Sequence, residues 1–180
     1  NEVQRANLIT NAGWAQQAFN GEDQNFNGLL DPGEDNDGDG EITRFILPSP
    51  PNIPYTRVEP GDGQIEIYWS DNAERSIDPI SNREDFEGYR LYLSKLGFDV
   101  TGVPDLARDF SLIAQYDKAG NNLFNETGFG SIKLAQPYYF DDDTIAYHYR
   151  YVIDNIPNGW QYATAVTAFD LTNLSPAAGV

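Results

Sequence analysis

The sequence contains no cysteine, no methionine and a single histidine, His148. Without cysteine, neither a disulfide framework nor a thiolate metal site can form. One histidine cannot build a three-histidine zinc centre or an H-E-x-x-H metalloprotease site. Basic residues are scarce: 11 Lys and Arg stand against 28 Asp and Glu, for a net charge of −17. No basic patch interrupts that excess, so nucleic acid is not an expected partner, and neither is an anionic lipid surface. No apolar run approaches the ~18 residues of a spanning helix, so membrane insertion is not expected either. The serines are scattered, with no G-x-S-x-G elbow. The front of the chain carries no signal-peptide pattern, and a start at Asn1 without Met leads to the expectation of a fragment or a processed chain.

What is present is 180 residues with 40% hydrophobic and 13% aromatic content, enough for a real core and against global disorder. One domain of ordinary size plus an extension is expected. Residues 1–20 form an N-terminal helical segment: Leu8, Ala12, Ala15 and Phe19, with Ile9 alongside, recur at helical spacing, and Asn20-Gly21 is the stop. Residues 21–46 are an acidic region. Residues 47–54, with Pro48, Pro50, Pro51 and Pro54, read as an extended linker and a domain boundary. Residues 55–180 carry β patterning.

The acidic region fits a calcium loop. Residues 21–41 hold eight acidic side chains and no basic one, and such a segment repels itself unless a cation neutralises it. The EF-hand template places oxygen donors at positions 1, 3, 5, 7, 9 and 12 with glycine at 6. From Asp23 as position 1, the donors are Asn25, Asn27, the Leu29 carbonyl, Asp31 and Glu34; Gly28 and apolar Leu30 fall at positions 6 and 8. A second, partial loop follows: Asp35, Asp37 and Asp39 at positions 1, 3 and 5, Gly40 at 6, the Glu41 carbonyl at 7. Its twelfth position is Ile46, so the bidentate carboxylate is missing, and Asp39 or Glu41 is left to bridge two ions. The tandem resembles thrombospondin type 3 and dockerin-like repeats. One calcium ion is expected and a second is open. No helix is expected after Glu34, and Glu41–Leu47 reads as extended. The ion's expected role is structural, stiffening the hinge between helix and sandwich, with an affinity of roughly 10⁻⁴–10⁻³ M as in extracellular modules. The competing reading is a solvated acidic linker; a calcium sensor would need paired helices that open.

Beyond Tyr55 the period is two. Gln64–Trp69 alternates Ile65, Ile67 and Trp69 against polar neighbours, after the turn Pro60-Gly61-Asp62-Gly63. Tyr89–Leu93, Ser111–Asp117 (with Leu112, Ala114 and Tyr116 on one face), Tyr149–Ile153 and Tyr162–Ala168 repeat the pattern. Residues 118–147 read as an elaborated loop, with room for a short hairpin. The expected fold class is all-β, an antiparallel sandwich.

Several of these runs resemble the fibronectin type III, immunoglobulin-like family: Gln64–Trp69 ending in a core Trp, Phe86-Glu87-Gly88-Tyr89-Arg90-Leu91-Tyr92 in the third strand, and Ile156–Ala168 at the E–F corner. The resemblance implies a tyrosine-corner role for Tyr162, with its hydroxyl bonded to the backbone upstream. Residues 70–87 and 118–147 are longer than the family's loops, and Val180 falls where a final strand would be running. The Tyr162–Asp170 run is similar to modules of large secreted or surface proteins of Bacteroidetes-type bacteria. That implies a secreted or cell-surface location and protein partners or neighbouring domains in a larger chain or assembly.

Other chemistry is weaker. Asp141-Asp142-Asp143 suggests paired acids, but neighbours in an extended chain diverge, and a solvated turn is expected. His148 lacks a nucleophile. Tyr138, Tyr139, Phe140, Tyr147, Tyr149 and Tyr151 serve either a core or a sugar-stacking surface, and Trp14 and Trp160 share that ambiguity. Asn125-Glu126-Thr127 and Asn173-Leu174-Ser175 match the N-glycosylation pattern, and Asp143-Thr144-Ile145 resembles a bacterial O-glycosylation acceptor. The expected function is a non-enzymatic, calcium-stabilised extracellular structural or adhesion module. The alternative is a carbohydrate-binding module of a secreted glycan-degrading protein, with a glycan as partner.

Overall fold

The computed structural model describes residues 2–79, 83–97 and 109–170. The expected final strand and the Asn173 sequon lie outside the described residues. Two compact units emerge. One gathers residues 2–50, 77–79 and 83–85; the other gathers 51–76, 86–97 and 109–170. The division falls between Pro50 and Pro51, inside the proline-rich segment, but residues 77–79 and 83–85, expected within the sandwich, group with the first unit.

In the first unit, helix α1 spans Glu2–Asn20. It stops as the Asn20-Gly21 pair requires: Gly21 turns left-handed (φ 60°) and its N–H donates to the Gln17 carbonyl at 2.9 Å. A Cβ on Gly21 would sit 2.0 Å from the Thr43 carbonyl oxygen, so no other residue fits there. Among the described residues the apolar stripe is not buried: Leu8, Ile9 and Phe19 are exposed, and Trp14 and Ala18 are half-buried instead. Phe19 meets Phe45 edge-on at 5.4 Å, under the Arg44 guanidinium. Strands β3 (Ile77–Asp78) and β4 (Arg83–Glu84) form a two-residue antiparallel ladder.

The second unit is built from two antiparallel sheets. Strands β1 (Thr56–Gly61), β2 (Gln64–Trp69), β8 (Tyr147–Asp154) and β7 (Lys133–Tyr138) lie in the order β1-β2-β8-β7, and β6 (Ser111–Asp117), β5 (Phe86–Gly97) and β9 (Gln161–Asp170) in the order β6-β5-β9. The period-two pattern of β2 sends Ile65, Ile67 and Trp69 inward, where they meet Tyr149 of β8, Phe86, Tyr89 and Leu91 of β5, and Val166 of β9 in one core. Trp69 stacks on Tyr149 at 5.5 Å, and Tyr89 packs against both rings. Gly88 is forced by the close approach of β6: a Cβ there would lie 2.1 Å from the Tyr116 carbonyl oxygen. The Tyr162 hydroxyl donates to the Pro157 carbonyl at 3.2 Å, as the corner requires.

Three expectations change. Residues 118–147 are not simply a loop. They contain edge strand β7, with Pro137 in it and an irregular register to β8, and they send Ile132 into the core with Phe129 packed against it. Residues 70–87 hold a 3-10 helix, Asn72–Arg75, whose Ala73 is buried. In β6 a bulge opposite Leu91 and Tyr92 breaks the alternation, so Ile113 joins Ala114 and Tyr116 against the core while Leu112 is 52% exposed.

Candidate metal centre

The first loop closes around its carboxylates. Asp23 accepts the N–H groups of Asn27 (3.0 Å) and Gly28 (2.8 Å). Glu34, at the twelfth position, accepts those of Gln24 (3.0 Å), Asn25 (3.3 Å) and Asp31 (2.9 Å). The side-chain amides of Asn25 and Asn27 both donate to Asp31, at 2.6 and 2.7 Å. Leu29 donates its own N–H to the Asn27 side chain at 2.7 Å. All six expected residues therefore belong to one closed loop.

The second loop repeats this pattern with a carboxylate that the template did not point to. Asp35 accepts the N–H groups of Gly38 (2.6 Å) and Gly40 (3.1 Å). Glu22 accepts those of Asn36 (2.9 Å) and Thr43 (2.9 Å), the second and ninth positions of this loop. Those are the positions whose counterparts, Gln24 and Asp31, bind Glu34 in the first loop. Left-handed residues recur in step as well: Phe26 (φ 64°) with Gly38 (78°), Gly28 (77°) with Gly40 (80°), and Gly33 (96°) with Phe45 (61°). Carboxylate oxygens of Glu22, Asp35 and Asp37 lie within 4.8 Å of one another. Asp39 accepts the Glu41 N–H at 2.8 Å, and neither carboxylate is part of that group. The sequence does signal Glu22: Gly21-Glu22-Asp23 returns twelve residues later as Gly33-Glu34-Asp35. Each glutamate precedes one loop and serves the other.

Burial sets the electrostatics. Glu22, Asp23 and Glu34 are 2%, 2% and 6% exposed, while no large apolar side chain among the described residues of this unit is buried. Arg44 pairs with Asp23 at 4.0 Å. Burying a carboxylate is costly unless hydrogen bonds or a counter-charge satisfy it, and here backbone N–H groups supply two bonds each to Glu22 and Asp23 and three to Glu34. Carboxylates, side-chain amides and carbonyls are all oxygen donors, the ligand type that hard cations take.

The remaining candidates have structural partners. Arg57 donates to Asp142 at 2.6 Å and lies 3.6 Å from Asp143, so two of the three consecutive aspartates converge on one guanidinium. That hydrogen bond to Arg57 holds the Asp142 carboxyl below the usual range. Asp143 also accepts the Ile145 N–H and the Tyr147 hydroxyl. Burial, then this bond to Asp143, pushes the Tyr147 phenol up to about 12. His148 Nδ1 lies 3.3 Å from Asp71 without aligning for a hydrogen bond, and Asp71 is already clamped by Arg75 through two bonds of 2.9 Å. Glu74 accepts the hydroxyls of Tyr89 and Tyr149. Of the rings considered for sugar stacking, Tyr147 and Tyr149 are buried, whereas Tyr138 and Tyr139 are exposed. Trp160 lies under Lys95. No family model matches the chain, nor does any curated protein or solved structure.

Proposed function

We propose that this chain is a non-enzymatic, calcium-stabilised structural module of a secreted or cell-surface protein, in which a two-ion acidic unit precedes a fibronectin type III-like sandwich. One observation carries the reading: the first unit buries Glu22, Asp23 and Glu34 where a folded unit ordinarily buries apolar side chains. The charge centre takes the place of a hydrophobic core. The first ion is held by Asp23, Asn25, Asn27, the Leu29 carbonyl, Asp31 and Glu34. The second is held by Asp35, Asp37, Asp39 and the Glu41 carbonyl, with Glu22 supplying the carboxylate that the loop's own twelfth position lacks. The strand orders β1-β2-β8 and β6-β5-β9, the buried Trp69 and the Tyr162 corner support the fibronectin type III reading of the second unit. Such a module spaces or presents neighbouring domains of a larger chain or assembly.

The test is calorimetric titration with calcium after chelation, beside thermal melts with and without the ion. A ligand that binds only the folded state stabilises it by about 2.7 kcal/mol at a hundredfold excess over Kd. The expected result is a stoichiometry of two and a calcium-dependent transition, with Glu34→Ala and Glu22→Gln each losing one site. No heat and no shift would overturn the calcium reading. Two sites retained in Glu22→Gln would overturn only the assignment of Glu22.

A further inference from the structure

We draw no further inference here: the strongest candidate, the ring cluster of Tyr68, Tyr138 and Phe140 beside Arg57 on the four-stranded sheet, carries nothing because nothing in the structure shows what covers it.

Discussion

Single carboxylates organise both units. Glu22 and Glu41 are equally acidic in the sequence, but one is buried between two backbone N–H groups and the other is exposed. Glu22→Gln should therefore weaken calcium binding at least tenfold, and Glu41→Gln, which keeps the carbonyl, should leave it within about twofold. Titration of the two variants side by side checks this. In the sandwich the equivalent residue is Asp117. It is fully buried and accepts the N–H groups of Asn125, Glu126 and Thr127 together with the Thr127 hydroxyl. Burial opposes its ionisation, but those donors outweigh it and hold the carboxyl below its ordinary range. Asp117→Ala would strand these four donors and cost about 1–3 kcal/mol by denaturant unfolding. The depressed value also fixes a sign. The stabilisation is complete above the unfolded pKa of about 3.9 and is lost as pH falls through the lower folded value. Asp117→Asn should flatten that acid limb, and an unchanged limb would show that other carboxylates dominate it. The hydrogen-bonded carboxylates and amides of the first loop were legible because their spacing is local. Glu22 was not, because it stands before the loop it completes, and only the repeat of Gly-Glu-Asp betrays it.

At the level of elements, alternation located β2, β8 and β9 because each has one face on the core, and a period of two is what a half-buried strand must show. It failed in β6, where one inserted residue shifts the pleat. Ile113→Ala should cost about 2 kcal/mol, at the low end for a truncated aliphatic core side chain, while Leu112→Ala should stay within about 0.5 kcal/mol. The opposite order would mean that the bulge is misplaced. Trp69→Ala, at the centre of the aromatic packing, should cost about 3–5 kcal/mol in the same assay. Strand β7 gave no sequence signal: Lys133–Tyr138 has no apolar alternation and contains Pro137. It forms because an edge strand with irregular register tolerates a missing N–H. Helix α1 was recognisable from its spacing and its glycine stop. Whether its stripe was buried was not, since that depends on what surrounds it.

Across the described residues the two units rest on different physics, one on paired rings and aliphatics, the other on buried carboxylates that gather backbone N–H groups. Chelation should therefore abolish hydrogen-exchange protection in residues 22–46 while β2, β5, β8 and β9 stay protected. Exchange measured with and without calcium checks this, and loss of protection in β2 and β8 would show that the sandwich also depends on the ion. The sequence by itself determined the acidic excess, the absence of thiolate and multi-histidine chemistry, the spacing of the first acidic loop and the β character of the second half. Those follow from composition and from periods of a few residues. Tertiary structure decided which backbone groups Glu22 binds, and it alone decided that residues 77–79 and 83–85 group apart from the sandwich, that Tyr147 is buried while Tyr138 is exposed, and that Asp117 anchors a loop. Each of these depends on which distant backbone groups come within hydrogen-bonding or packing distance, and a one-dimensional pattern does not carry that information.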